Sequence, residues 1–266
     1  MPGNRGSRLW AAWRALFWHV WKRIFRKPLV IQLVNGMKLK AYPDCVESSL
    51  AFYVRWPDRL EIDWLRQNLQ KGERVVDIGA NIGLWSLLLA DVVGPENILA
   101  IEAGRVAAAR LRENFSLNGM TENQILEAAA GDRDGEVEFP DCDSPDTNAT
   151  ALADMGGWPK RKVPLVRLDT IFAIAQREIG FVKIDVEGSE PGVLRGMTET
   201  LKTRRVRIIL FESFGGKHLE ECKKILSSCG YSLSAERAVS TVPSSPQNHF
   251  AFRNQETGEF IQNLNQ

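Results

Sequence analysis

The segment VVDIGANIG, residues 75–83, combines an acidic residue with a turn that contains two glycines. Gly79 allows the chain to turn tightly, and Gly83 allows the start of a following helix to approach a ligand or the sheet. Free backbone N–H groups at a helix start attract anions such as a carboxylate. Asp77, at the tip of the preceding strand, is placed to accept hydrogen bonds from a cationic amino group. The pattern predicts contacts to a ligand with an amino-acid end, made by Asp77, Gly79, Ala80, Asn81 and Gly83.

The next two strand ends carry groups that suit a nucleoside. Glu102 ends the apolar segment ILAIE, and a carboxylate at this place accepts hydrogen bonds from both ribose hydroxyls. Ala130 and Asp132, in AAGD after the third strand, offer small residues and an acid for the edge of adenine. The turn does not match the G-x-G-x-x-G dinucleotide fingerprint. A ligand-free turn is disfavoured because three successive strand ends carry suitable groups. The combination indicates a site for S-adenosylmethionine, the methyl donor of methyltransferases.

A second acidic group, in DVEGSE at residues 185–190, follows a later apolar strand. Asp185, Glu187 and Glu212 are the catalytic candidates, because a positioned carboxylate removes the proton of a hydroxyl and makes it a nucleophile. Asp185 is also a candidate for donor binding, whereas Glu190 is expected to serve the start of the next helix. We predict no metal site, although Asp185 and Glu212 leave an oxygen-liganded Mg²⁺ open as an alternative.

Short apolar segments alternate with helical ones from residue 73 onward. Strands are predicted at 74–78, 98–102, 124–130, 136–139, 163–168, 181–185, 207–212, 231–236 and 249–253. Helices are predicted at 57–70, 82–92, 105–118, 169–177, 189–201 and 217–229. This alternation predicts an α/β, Rossmann-like fold, with a seven-stranded, mostly parallel sheet and helices on both faces. The last two strands are joined by a loop alone, which predicts an antiparallel hairpin and distinguishes a methyltransferase core from a plain dinucleotide-binding fold.

The N-terminal arm, residues 1–28, contains an amphipathic aromatic-basic helix at about 7–27 that ends before Pro28. Tryptophan favours the membrane–water boundary, and Lys and Arg favour anionic headgroups, so peripheral membrane contact is one interpretation. Packing of the aromatic face on the body or on a second subunit is the other. A hairpin at 29–41 and a helix form the lead-in, residues 29–72, followed by the core at 73–253 and a tail at 254–266.

Charge is distributed unevenly along the 266 residues. Nine of the 34 Lys and Arg lie in residues 1–40, which contain no acid, so all 33 Asp and Glu lie in an acidic remainder. This distribution argues against a nucleic-acid partner. The four cysteines form no zinc pattern, which favours free thiols. We expect a cytoplasmic protein without a signal peptide or spanning helix, with contact to the inner face of a membrane as an alternative.

The sequence resembles the FkbM family of methyltransferases. The resemblance covers about residues 29–253 and is carried by VDIGANIG, KIDVEGSE, ENFSLN at 113–118 and VRLDTI at 166–171. It implies a class I methyltransferase fold, S-adenosylmethionine as donor and an oxygen acceptor. Asp77, Gly79, Asn81, Gly83 and Glu102 then match the donor site, and Asp185 and Glu187 match the DVEG motif. Ser189 stands where alanine is common, and IEAG at 101–104 departs from the usual FEP pattern.

The expected function is O-methyl transfer from S-adenosylmethionine to a hydroxyl of a glycan, glycolipid or secondary metabolite. The polar loop at 140–162 is a candidate cover for a sugar acceptor. A nucleic-acid methyltransferase and a catalytically silent scaffold are the alternatives. The sequence leaves open the general base, the methylated position and whether the chain forms a homo-oligomer.

Overall fold

The computed structural model describes residues 8–54, 58–143, 158–173, 178–203, 205–213, 215–233 and 247–253. Its strands are β1 (Leu29–Gln32), β2 (Lys38–Ala41), β3 (Arg74–Ile78), β4 (Ile98–Ile101), β5 (Ile125–Leu126), β6 (Ala129–Ala130), β7 (Gly135–Pro140), β8 (Lys160–Val166), β9 (Ile179–Ile184), β10 (Val206–Ser213), β11 (Tyr231–Leu233) and β12 (Gln247–Arg253). Its helices are α1 (Arg8–Ile24), α2 (Val46–Val54), α3 (Arg59–Asn68), α4 (Leu84–Val93), α5 (Arg105–Ser116), α6 (Leu168–Phe172), α7 (Glu190–Arg195), α8 (Thr198–Lys202) and α9 (Gly216–Ser228).

Seven strands form the central sheet in the order β11-β12-β10-β9-β3-β4-β5. The pairs from β10 through β5 are parallel, whereas β12 is antiparallel to both β10 and β11. The predicted fold class is therefore confirmed, including the antiparallel pair at the C-terminal side. The chain order reverses between β3 and β9, and ligands bind beyond the carboxyl ends of strands at such a switch point.

Apolar side chains fill the space on both faces of the sheet. Along β3, Val75 packs into the core that α3, α4 and α5 cover, and Val76 packs into the core that α6, α7 and α9 cover. Successive strand residues point to opposite faces, so a strand buried on both faces is apolar throughout. The buried Asp77 near the end of β3 departs from this pattern, which makes it conspicuous.

The predicted third strand, residues 124–130, is wrong as one element. Its first part, β5, lies at the edge of the central sheet, and its second part, β6, pairs with β8 in a separate sheet that also contains β7. Between β5 and β6, Ala128 donates its N–H to the carbonyls of Glu102 and Leu126, and the side chain of Glu127 forms ion pairs with Arg112 and Arg161.

The predicted helix at 189–201 is two helices, α7 and α8, which meet at Gly196. A Cβ atom at Gly196 would lie 1.8 Å from the carbonyl oxygen of Gly131, so the backbone approaches a neighbouring loop closely there. A further helix, α2, was not predicted. Most of the acceptor-cover loop (144–157), the loop at 234–246 and the tail lie outside the described residues.

The predicted hairpin at 29–41 is confirmed, and α5 holds it in place. Asn114 Oδ1 accepts the N–H of Lys40 at 2.7 Å, and Asn118 Oδ1 accepts the N–H of Lys38 at 2.8 Å. All four cysteines are buried. Among the described residues, no helix combines the length and the apolar character needed to cross a membrane.

Candidate active site

The turn after β3 brings two strand ends together. Gly79 has a φ of +73°, and a Cβ atom there would lie 1.7 Å from the backbone oxygen of Asp185. Asp185 in turn donates its N–H to the Ile78 carbonyl at 3.0 Å. The glycine is required because only a residue without a side chain fits between the ends of β3 and β9.

Three N–H groups of this turn are engaged inside the protein. Gly79 and Ala80 both donate to the Ile101 carbonyl, at 2.9 and 3.1 Å, and Asn81 donates to Glu102 Oε2 at 2.8 Å. These three N–H groups are therefore engaged within the protein, and donor contacts of Gly79, Ala80 and Asn81 stay a prediction. Asn81, with a φ of +48°, keeps a buried Oδ1 atom without a hydrogen bond.

Gly83 allows close helix packing, and its contact with the donor stays a prediction. A Cβ atom at Gly83 would lie 2.5 Å from Leu111 Cδ1 and 3.2 Å from the ring of Phe115. Both neighbours belong to α5, so this glycine allows the start of α4 to lie against that helix. Ala80 is buried in the same apolar core.

Asp77 is 2% exposed and is held from one side. Its Oδ2 atom accepts the N–H and the hydroxyl of Ser86, at 3.1 and 2.7 Å. Its Oδ1 atom has no hydrogen bond and lies 3.9 Å from Lys183 Nζ. Burial raises the pKa of Asp77, against the opposing influence of Lys183 and Ser86. The Oδ1 atom of Asp77 is thus left available to accept a hydrogen bond from a ligand.

Glu102 is held in a fixed orientation at the end of β4. Its Oε1 atom accepts the N–H of Gly104 at 2.7 Å, and its Oε2 atom accepts the N–H of Asn81. Burial raises its pKa although these two backbone hydrogen bonds lower it. Each carboxylate oxygen has a second lone pair, so both can accept a further hydrogen bond from a pair of hydroxyls.

Lys183 is a buried cation that the sequence analysis missed. Its Nζ atom lies 2.8 Å from Asp185 Oδ2 and 5.7 Å from the centroid of the Trp85 ring. Burial by itself lowers the pKa of Lys183, but Asp185, Asp77 and Glu47 outweigh it and hold the pKa above its usual range. A lysine inside the apolar strand FVKI was the available signal, because an unpaired charge there would be costly.

Asp185, Glu187 and Glu212 form an acidic triad at the ends of β9 and β10. One carboxylate oxygen from each lies within 4.8 Å of those of the other two, so the triad could hold a divalent cation with oxygen ligands. Burial and the neighbouring acids raise the pKa of Glu212 to about 8, and burial together with Asp185 raises that of Glu187. The sequence left Mg²⁺ binding open for Asp185 and Glu212, and the structure places Glu187 beside these two residues.

The loop that presents this triad is held by Glu190, whose side chain is fully buried. Its Oε1 atom accepts the N–H groups of Val186 and Gly188, at 3.0 and 3.3 Å. The structural role predicted for Glu190 is confirmed. Glu187, between these two donors, has a φ of +53°, a conformation that a residue with a side chain adopts rarely and that clusters at functional sites.

Glu47 on α2 is a second residue that the sequence analysis missed. Its Oε2 atom is buried and has no hydrogen bond. Burial is the main reason that its pKa rises to about 8, and the charges of Lys183, Asp185 and Asp77 all act on it. No local signal marked Glu47, because α2 itself was not predicted and only the tertiary structure carries it to the acids.

Ala130 and Asp132 lie in the separate small sheet and the loop after it. Ala130 is buried beside Val166, its partner in β8. The half-exposed carboxylate of Asp132 forms ion pairs with Arg133 at 3.5 Å and with Arg195, at the end of α7, at 3.8 Å. Contacts of these residues with an adenine ring stay a prediction.

Comparison with known proteins identifies a family. A family model described as "Methyltransferase FkbM domain" matches residues 77–233, which is more than half of the chain. "Methyltransferase sdnD" from Sordaria araneosa is 26% identical over 203 residues, which cover 64% of this chain and 78% of that protein.

Solved structures with a similar arrangement are more distant. Methyltransferase FkbM from Methylobacillus flagellatus has a TM-score of 0.48 and 16% identity, and the match covers 78% of this chain and 55% of that one. This chain therefore spans about half of the Methylobacillus chain. A putative methyltransferase from Streptococcus mutans, solved in complex with SAH, has a TM-score of 0.46 and 11% identity over 74% of this chain and 97% of that one.

The family match begins at Asp77 and includes the turn, Glu102, Lys183, the acidic triad and most of the central sheet. Glu47 lies before the matched residues. By the extent of this match, the chain belongs to the FkbM family of methyltransferases.

Proposed function

We propose that this methyltransferase transfers a methyl group from S-adenosylmethionine to a hydroxyl of a glycan, glycolipid or secondary metabolite. The observation that carries the proposal is the buried carboxylate of Asp77, which has one oxygen without a hydrogen bond and lies among the acids of the strand ends. A cationic donor with an ammonium and a sulfonium group suits this negative site, because it offers both charge and a hydrogen-bond donor.

The residues present fit that donor. Asp77 would accept a hydrogen bond from its amino group, and Glu102 would accept the ribose hydroxyls with its remaining lone pairs. When bound, S-adenosylmethionine supplies an electrophilic methyl group. Lys183 orients the carboxylate of Asp185 through its 2.8 Å contact.

The acidic triad would serve the acceptor. Removal of the hydroxyl proton by a positioned carboxylate typically contributes about 10²–10⁴-fold in rate. Glu212 suits this role, because a pKa of about 8 makes its ionised form a stronger base than an ordinary carboxylate, and the ionised fraction grows as the pH rises toward 8. We expect a chelator to leave turnover unchanged if the triad acts as a base, whereas loss of turnover that Mg²⁺ restores would assign the triad to a metal.

Nucleic acid is the second candidate acceptor. Among similar structures is one described as an rRNA methylase from Streptococcus thermophilus, with a TM-score of 0.48 and 10% identity over 74% of this chain and 96% of that one. All Asp and Glu residues of this chain lie beyond residue 40. The negative charge of that part of the protein repels a polyanion such as nucleic acid. A hydroxyl acceptor without a phosphate backbone therefore fits better.

Donor binding is tested with Asp77→Asn and Glu102→Gln, which keep the shape of each side chain. A hydrogen bond to a charged group contributes about 1.5–3 kcal/mol, so we expect each change to weaken S-adenosylmethionine binding about 10–100-fold in calorimetry. Glu122→Gln, on an exposed turn, is the control and should bind like the wild type. Wild-type affinity in both site variants would contradict the proposed donor site.

The acceptor is tested by mass spectrometry of glycolipid, polysaccharide and small-molecule extracts from cells with and without the gene. We expect one hydroxyl-bearing component to lose the mass of a single CH₂ group when the gene is absent. Methylation that is lost only from RNA would favour the second candidate.

A further inference from the structure

Helix α1 has two apolar faces, and within the described part of the chain only one of them packs on the body. Trp18 is fully buried, stacks on Phe52 of α2 with ring centroids 4.8 Å apart, and donates its indole N–H to Ser49 Oγ at 3.0 Å. The opposite face carries an outer stripe, which we define as Trp13, Leu16, Val20 and Ile24. These four side chains are 58%, 62%, 42% and 68% exposed.

The outer stripe follows the periodicity of a helix. Its members are spaced by three or four residues, so their side chains lie along one line on the surface of α1. Isolated exposed apolar residues are ordinary on soluble proteins, but a continuous apolar line rimmed by polar groups indicates an interaction surface. The sequence left a membrane, the protein body and a second subunit as alternative partners of this helix. The inner face packs on the body, which leaves the outer stripe for a further partner.

The segment that contains the outer stripe is rich in Lys and Arg and contains no Asp or Glu. Arg23, Arg26 and Lys27 follow one another closely at the C-terminal end of the helix, and no Asp or Glu occurs before Asp44. Arg23 is exposed, on the flank of the stripe. An anionic surface complements this combination of apolar side chains and positive charge.

We infer that the outer stripe and these basic residues form a docking surface for an anionic lipid membrane, on which α1 lies in the plane of the headgroups. Trp13 suits that boundary because an indole ring has an apolar body and a polar N–H. The exposed aliphatic side chains supply apolar area, and Lys and Arg contribute about 1 kcal/mol each near an anionic surface. This docking does not depend on the proposed reaction.

The test is co-sedimentation of the full chain with vesicles, without donor or acceptor. We expect the wild type to bind vesicles of phosphatidylcholine and phosphatidylserine at least about tenfold more tightly than vesicles of phosphatidylcholine alone. Leu16→Gln combined with Ile24→Gln should weaken binding to the anionic vesicles at least about tenfold, because two exposed aliphatic anchors are removed. Arg23→Gln combined with Lys27→Gln should remove most of the preference for the anionic lipid.

Leu60→Gln is the matched control, because Leu60 is 56% exposed but lies on α3, and it should bind like the wild type. Donor binding measured on the same variants should be unchanged, which separates this surface from the active site. Wild type that does not sediment with anionic vesicles, or Leu16→Gln/Ile24→Gln that sediments as well as wild type, would overturn the inference. A dimer in sedimentation velocity that this double variant disrupts would instead assign the stripe to a second copy of the chain.

Discussion

At the scale of single residues, the site is a balance of buried charges. Among the described residues, Lys183 is the cation that interacts with Asp77, Asp185 and Glu47. These acids outnumber it. Two of the cluster's acids, Glu47 and Glu212, have their pKa raised to about 8. Burial and the neighbouring negative charges disfavour the ionised forms of these two acids, and a cationic ligand would offset that repulsion.

Donor affinity should therefore depend on pH. Below pH 8 the Glu47 carboxyl is mostly protonated in the free protein, and a cationic donor binds its ionised form more tightly. We expect affinity to rise as the pH increases through about 8 and to level off above it, with proton release on binding near neutral pH. Calorimetry in two buffers with different ionisation enthalpies measures that release.

The variants Glu47→Gln and Glu212→Gln separate the two acids. Asp185, Asp77 and Glu102 raise the pKa of Glu47, and Lys183 lowers it. Ionisation of Glu47 and ionisation of Glu212 should each increase the affinity for a cationic donor as the pH rises. We expect Glu47→Gln to reduce the proton release. Glu212→Gln added to it should remove the remaining release. Proton release that is unchanged in Glu47→Gln would show that α2 contributes no titrating group to donor binding.

At the scale of elements, the decisive feature is the close approach of the β3 and β9 ends. These neighbours lie where the strand order reverses, and the Asp185 backbone is in contact with Gly79. The same approach carries Asp77 and Asp185 to Lys183, because parallel strands present their carboxyl ends at one edge of the sheet. The acids belong to separate stretches of sequence, and this packing makes them one site.

Gly79→Ala tests that packing against Gly72→Ala. Both glycines have positive φ, +73° and +90°, but a Cβ atom at Gly72 meets nothing within 4 Å. The backbone conformation alone costs alanine about 1–2 kcal/mol, which is the loss expected for Gly72→Ala. The clash with Asp185 should make Gly79→Ala more costly by at least about 2 kcal/mol in chemical denaturation. Equal losses in the two variants would contradict a tight junction between the strand ends.

At the scale of the whole molecule, the N-terminal arm is part of the fold and connects to the site. Helix α1 packs on α2, and α2 contributes Glu47 to the acids. Arg14 donates to the Phe52 carbonyl, and Lys22 donates to Ser49 Oγ at 3.2 Å. The docking surface that we propose and the candidate active site are therefore separated by a single helix layer.

Trp18→Ala and Leu16→Ala distinguish the two faces of α1. Removal of a fully buried aromatic side chain typically costs about 3–5 kcal/mol, so we expect Trp18→Ala to lower the free energy of unfolding by an amount in that range. Leu16 is 62% exposed, and its replacement should change stability by less than about 0.5 kcal/mol. Urea denaturation measures both, and equal stability of Trp18→Ala and wild type would contradict packing of α1 on the body.

Much of this protein is determined by local patterns. The alternation of short apolar strands with helices predicted the parallel sheet, and the loop that alone joins the last two strands predicted its antiparallel pair. Asp77, Glu102, Asp185 and Glu212 became candidates because each lies at or next to the end of an apolar strand, and the ends of such strands share one edge. The motifs around Asp77 and Asp185 also predicted the family, and the match to residues 77–233 confirmed it.

Other features depend on contacts between residues distant in sequence. The chain leaves the central sheet after β5 and the helix divides at Gly196, because of neighbours that no local window contains. Lys183 and Glu47 acquire their roles only when separate elements place them among the same acids. Local sequence determined which segments become strands and helices, whereas burial and electrostatics between those segments decided which charges form the site and which face of α1 stays exposed.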